Sequence, residues 1–207
     1  MIPLHVDTAC IVVDKPAGLL AVPGRGEHLQ DCMATRVQAQ FSDARVVHRL
    51  DMSTSGLMLF ARGADVQRTL SRAFAQREVD KRYVAVVHGR MEPTEGEIDL
   101  PLRADWPNRP LQRVDVADGK PSLTRYRVLA DDAGANTTRV MLQPVTGRTH
   151  QLRVHLLAIG HPILGDALYA PVAVQALAGR LMLHAASISF PHPLTGAMLR
   201  LECDVPF

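Results

Sequence analysis

Asp51 is a carboxylate set between two apolar runs, Val46-Val47 before it and Leu57-Met58-Leu59-Phe60 after Gly56. An acid in such a setting must find a partner or carry its charge at a high cost. The segment around it, His48-Arg49-Leu50-Asp51-Met52-Ser53-Thr54-Ser55-Gly56, ends in Thr-Ser-Gly, a turn signal that places the acid at the lip of a cleft. The unbroken run Gly56 to Ala61 predicts a central strand. A buried carboxylate with a specific reason to stay ionised is a catalytic candidate.

A second segment, Gly147-Arg148-Thr149-His150-Gln151-Leu152-Arg153-Val154-His155-Leu156, reads as the start of a helix. Leu152, Leu156 and Ile159 recur at i, i+4 and i+7, and Gly160 with Pro162 supplies the stop. Arg148 and Arg153 then crowd positive charge into the first turns, where the helix dipole is also positive. That arrangement asks for an anion, a carboxylate or an RNA phosphate. The acid at 51 and the cationic helix start are expected to answer each other.

The remaining pattern is short strands with few helices. Ile11-Val12-Val13 predicts a strand ended by Lys15-Pro16, and Leu29, Cys32, Met33 and Val37 predict a helix within His28 to Phe41. Val66, Leu70, Ala73 and Phe74 mark an amphipathic helix with Arg68 and Arg72 on its polar side. Tyr83 to Val87 has strand character. Ser122 to Leu129 and Val140 to Val145 alternate around a polar link, Asp131 to Asn136, as a hairpin does. Leu181 to Phe190 and Met198 to Leu201 flank the turn His192-Pro193-Leu194-Thr195-Gly196. The class expected is α+β with a largely antiparallel sheet, in a single domain over residues 1–207.

Mean hydropathy of +0.02 fits a globular protein, and no apolar run approaches membrane-spanning length, so no membrane partner is expected. Cys10, Cys32 and Cys203 form neither a disulfide framework nor a zinc pattern, which points to a reducing cytoplasm. The formal net charge is only +2, but residues 45–90 hold nine Lys and Arg against four acids and residues 101–127 six against three. Clustering of that kind suits one basic face for RNA, although solvated arginines on helix exteriors would give the same count.

Competing chemistries find less support. His150 and His155 are five apart, off the i, i+4 spacing of paired metal ligands, and His48 and His184 read as satisfied core histidines, so no metal site is expected. Ser53 and Ser55 lack a Gly-x-Ser-x-Gly elbow. Asp65, Glu78 and Asp80 fall in polar positions that do not suit a glycosidase partner for Asp51. Trp106, in a loop with Arg103, Arg109 and Arg113, could stack on RNA or plug the core beneath the loop. No phosphate-binding Gly-Lys-Ser/Thr loop, complete Gly-x-Gly-x-x-Gly or zincin motif is present.

Several motifs in order carry a resemblance. Lys15-Pro16-Ala17-Gly18-Leu19-Leu20, His48 to Gly56, Lys81-Arg82-Tyr83-Val84-Ala85, Gly147 to Arg153, Gly160-His161-Pro162-Ile163-Leu164-Gly165-Asp166 and Leu183-His184-Ala185 resemble the pseudouridine synthases that carry the signature His-Arg-Leu-Asp. Asp105-Trp106-Pro107-Asn108-Arg109-Pro110 and Gly119-Lys120-Pro121 are similar to the branch acting on both large-subunit ribosomal RNA and tRNA. The resemblance implies a mixed central sheet flanked by helices and split by a cleft, without the small N-terminal RNA-binding domain of longer relatives. It implies isomerisation of uridine in structured hairpins of 23S rRNA and tRNA anticodon stem-loops, with no cofactor. Asp51 matches the catalytic aspartate and Arg153 the arginine paired with it. Tyr83 matches the tyrosine against the target base, and Arg49 an arginine that enters the space left by the displaced uridine. A monomer is expected. The rival readings are a catalytically inactive RNA-binding protein of the same fold and a glycoside or nucleoside hydrolase.

Overall fold

A computed structural model describes residues 2–207 as two compact units. One extends to Lys81 and resumes over Ala185–Pro206; the other spans Arg82–His184 and takes in Phe207. In chain order the first contributes β1 (His5–Val6), β2 (Cys10–Lys15), α1 (Met33–Gln38), β3 (Ala44–Val46), β4 (Ser55–Arg62) and α2 (Gly63–Ala75). β5 (Asp80–His88) leads into the second, which continues with β6 (Glu95–Asp99), β7 (Leu102–Ala104), β8 (Gln112–Val114), β9 (Leu123–Asp132), β10 (Thr137–Pro144), α3 (Gln151–Ala158) and α4 (Val172–Gln175). β11 (Leu183–Pro191) and β12 (Met198–Glu202) return the chain to the first.

In the first unit the strands run in the order β1-β2-β4-β11, with β3 on β4 and β12 on β11. β2 and β4 are antiparallel, Val12 opposite Leu59 and Val13 opposite Met58. Strand alternation sends Cys10, Val12, Leu57, Leu59 and Ala61 to a core shared with Val66, Leu70 and Ala73 of α2. Ile11, Val13, Met58 and Phe60 go to a second core with Met33, Ala34 and Val37 of α1. Cover on both faces is why β4 reads as an unbroken apolar run rather than an alternating one. Each such Leu, Met or Phe contributes about 1.5–3 kcal/mol by full burial. Gly56 has no room for a side chain, since a Cβ there would lie 2.4 Å from the carbonyl oxygen of Ala185.

α1 is shorter than the spacing over residues 28–41 predicts. Cys32 Sγ accepts the N–H of Thr35 at 3.4 Å while the Cys32 N–H donates to Thr35 Oγ1 at 3.1 Å, and this reciprocal cap starts the helix at Met33. Glu27–Leu29 form a separate 3-10 turn, with Leu29 exposed.

The second unit has the strand order β5-β10-β9-β6. β9 and β10 form the expected hairpin, Tyr126 opposite Leu142 and Val128 opposite Val140, with a register shift at Arg139/Val140. Ala85, Val87, Val140 and Leu142 share one core with Leu152 and Leu156 of α3. Arg125, Arg127, Met141 and Gln143 occupy the alternate positions, so these strands alternate where β4 does not. Antiparallel pairs dominate and helices are few, which makes this the α+β class expected. No helix among the described residues is long and apolar enough to cross a membrane.

Candidate active site

The loop carrying Asp51 is pinned on both sides of the acid. The His48 ring stacks on Phe74 of α2, with centroids 4.8 Å apart and planes at 25°. Its Nε2 accepts the N–H of Leu59 at 2.9 Å, so the imidazole is neutral with its proton on Nδ1. Burial of the ring, and then the Lys81 ammonium, push its pKa down to about 3. Leu50 is buried in its turn. Beyond the acid, the Asp51 carbonyl accepts the N–H of Thr54 at 3.1 Å, closing the turn that Thr-Ser-Gly announces.

The firmest anchor is Lys15, which is fully buried. Its Nζ donates to the carbonyls of Pro16 (2.9 Å), Leu19 (2.7 Å) and Met52 (3.1 Å). The Met52 carbonyl also accepts the Gly18 N–H at 2.9 Å. A buried ammonium is tolerable only when solvated in this way by the protein, and here the solvating oxygens tie the Lys15–Leu20 segment to the residue after Asp51. Asp51 itself is half-buried. Arg49 is exposed, and among the described residues its guanidinium makes no hydrogen bond or ion pair.

In the second unit Arg153 lies on α3 with only 3% of its side chain exposed, and it holds an acid that sequence reading missed. Nε and Nη2 donate to Asp166 Oδ2 and Oδ1 at 2.8 and 2.6 Å, and the Asp166 side chain is 1% exposed. Asp166 Oδ1 also accepts the N–H groups of Leu168 (3.0 Å) and Tyr169 (3.2 Å). The guanidinium carbon stands 5.0 Å from the Tyr169 ring centroid. The Tyr169 hydroxyl accepts the Gln112 N–H at 2.9 Å and shares a 2.6 Å hydrogen bond with His150 Nδ1. The helix start therefore has an anion of its own in Asp166, and Arg148 lies exposed ahead of the helix rather than in its first turn. The signal was present as the acid closing Gly160 to Asp166, a segment that carries no periodicity and speaks only through its resemblance.

Gln151 fixes the approach to α3. Its Oε1 accepts from Thr146 Oγ1 (2.8 Å) and the Arg148 N–H (3.0 Å), while Nε2 donates to the Leu123 carbonyl and Thr124 Oγ1, both at 3.0 Å. His155 is a satisfied core histidine, bonded to Thr124 Oγ1 at 3.0 Å and the Leu100 carbonyl at 2.9 Å, and burial lowers its pKa. Tyr83 lies on β5 opposite Leu142, half-buried against the core of the second unit. Arg82, Arg125, Tyr126, Arg127, Met141 and Gln143 line a cavity of about 250 Å³ in the same unit.

Trp106 is 61% exposed, so it does not plug the core. The Arg109 guanidinium carbon stands over it, 3.3 Å from the ring centroid. The neighbouring Arg103 and Arg113 are taken up by Asp118 and Asp115. Asp65 is exposed and paired with Arg68, which rules it out as a glycosidase partner.

A family profile described as RNA pseudouridylate synthase matches residues 9–158. The chain is 48% identical over 207 residues to the dual-specificity RNA pseudouridine synthase RluA of Escherichia coli strain K12, covering 100% of this chain and 94% of that protein. The protein of the same name from Yersinia pestis is 50% identical over 208 residues, covering 100% of both. Among solved structures, human RNA pseudouridylate synthase domain containing 1 superposes with a TM-score of 0.84 at 29% identity, over 99% of this chain and 83% of that one.

Two outcomes follow from the buried ionisable groups. Asp166→Ala leaves the Arg153 guanidinium without its fork, and the expected loss is about 3–5 kcal/mol in urea unfolding; an unchanged midpoint would show that the fork carries no stability. His48 is neutral in the fold, so between its ordinary 6.5 and about 3 the unfolded chain binds a proton that the folded chain does not. Stability is therefore present above pH 6.5 and is lost as pH falls, by up to about 1.4 kcal/mol per unit from this group, with His155 acting in the same direction. Unfolding curves of His48→Gln across that range should show a shallower slope, and an identical slope would exonerate the residue.

Proposed function

Because this chain belongs to the RNA pseudouridylate synthase family and isomerises uridine to pseudouridine in RNA, we propose that Asp51 is its catalytic carboxylate and that Arg49, Tyr83 and Arg153 bind the substrate. The observation that carries this reading is likeness over the whole chain to dual-specificity synthases, with Asp51 on a loop held by Lys15 and His48. The substrates are hairpins of two classes, one in large-subunit ribosomal RNA and one in the tRNA anticodon stem-loop. The enzyme works as a cytoplasmic monomer.

The reaction breaks the bond from ribose C1′ to uracil N1, turns the base and joins C1′ to C5. N1 gains a proton and C5 loses one, so no electrons, phosphate or donor group are consumed. A carboxylate is suited to such glycosidic chemistry as nucleophile or base. The pinned loop presents Asp51 in one geometry, which lowers the cost of orientation. Arg153, itself fixed by Asp166, holds its guanidinium in one place for the substrate. Tyr83 packs on the target base. Arg49, exposed and unengaged, fills the gap that the flipped uridine leaves in the stack. The Trp106–Arg109 pair is a platform on which an unstacked RNA base rests.

Purified Asp51→Asn should form no pseudouridine on either RNA while binding both nearly as tightly as the unaltered enzyme. Activity equal to the unaltered enzyme refutes the assignment, inactivity of both proteins points to an RNA-binding role, and release of free uracil points to hydrolysis. Trp106→Ala should weaken RNA binding by about tenfold at unchanged kcat, the weight of one stacked base; unaltered affinity removes the platform.

A further inference from the structure

In the first unit, the turn between β1 and β2 gathers an imidazole, a carboxylate and a thiol that the isomerase chemistry does not use. The ligand atoms of His5, Asp7 and Cys10 all lie within 4.8 Å of one another. Asp7 Oδ2 is the hub, 2.7 Å from His5 Nε2, 3.1 Å from His192 Nε2 and 3.6 Å from Cys10 Sγ. The other oxygen, Oδ1, accepts the N–H groups of Ala9 and Cys10, each at 2.7 Å, and so fixes the carboxylate with Oδ2 turned towards the imidazoles and the thiol.

We infer that His5 Nε2, Asp7 Oδ2 and Cys10 Sγ form a binding site for a zinc-type divalent ion, with one position left for water. Zinc bonds to N, O and S of about 2.0–2.3 Å put neighbouring tetrahedral ligands roughly 3.3–3.6 Å apart, and the separations around Oδ2 bracket that range. The mixed N, O and S set favours zinc over magnesium or calcium, which take oxygen.

His192 orients the site and is not a ligand to the ion. Its Nδ1 accepts the N–H groups of Leu194 (3.4 Å) and Thr195 (3.2 Å), which leaves its proton on Nε2 to donate to Asp7 Oδ2. A donor behind a ligating carboxylate is the usual support of a metal site. Without an ion, Cys10 is a fully buried thiol beside an anion, and both burial and Asp7 push its pKa up to about 12. An ion reverses that balance. The thiol loses one proton to water, the His5 proton moves to Nδ1, and one carboxylate and one thiolate neutralise the divalent charge. His5 keeps a quarter of its side chain exposed, which gives the ion a way in.

The test is titration of untagged enzyme with Co²⁺ and then Zn²⁺. The expected result is one ion per chain, a near-ultraviolet thiolate-to-cobalt band that zinc abolishes, about one proton released per ion, and a raised unfolding temperature. Cys10→Ser should remove the band, and His5→Asn should weaken binding by at least about tenfold. His192→Gln, which keeps a donor, should retain the band. No band with the unaltered protein, or equal affinity in the unaltered protein and His5→Asn, overturns the site. Because His5 is partly exposed, its variant decides the question even if Cys10→Ser fails to fold.

Discussion

Both units are organised around a cation withdrawn from water. Lys15 is fully buried and Arg153 has 3% of its side chain exposed. An ion so placed carries a desolvation penalty of several kcal/mol and persists only where oxygen atoms replace its hydration. Lys15 gathers three main-chain carbonyls, one of them immediately after Asp51. Arg153 takes a two-bond fork from Asp166, which in turn holds the amides of the Leu168–Tyr169 turn. Neither arrangement can slide, since any shift strands a charge. The segments that bear the proposed chemistry inherit that rigidity.

What was legible in the chain was periodicity. The run after Gly56 became β4, Val66, Leu70 and Ala73 became the buried side of α2, and the alternation around residues 131–136 became the β9–β10 hairpin. The stop at Gly160 held, with φ of 87° at that residue. Where the expected helix overran, a local hydrogen bond had overridden the pattern, as Cys32 and Thr35 do in starting α1. Partnerships between distant residues leave no periodic trace. The fork from Arg153 to Asp166 and the reach of Lys15 to Met52 belong to that kind. Charge statistics were a weak guide too, because several arginines of the basic stretches are already matched to acids, among them Arg62 with Asp43 and Arg125 with Glu97.

Fold alone would not have named the reaction, since chemistry resides in sites that many folds can host. The signature His-Arg-Leu-Asp and the likeness of the whole chain to known synthases supply that step. The structure adds a physical account of the two anchoring residues of the signature. His48 is there as a neutral ring whose lone pair captures a β4 amide, and Leu50 is a hydrophobic anchor. Between them Arg49 is turned outward and uncommitted. Alternation of anchor and outward residue along a short loop is what lets adjacent positions divide structural and chemical duties.

The proposal that Asp51 makes pseudouridine in hairpins of two RNA classes can be checked in the cell. Pseudouridine is mapped across total RNA from cells lacking the gene, complemented with the unaltered protein or with Asp51→Asn. Loss is expected at one large-subunit ribosomal position and one tRNA anticodon-loop position, restored by the unaltered protein alone. Persistence of both marks without the gene, or their return with Asp51→Asn, would contradict the role given to this acid.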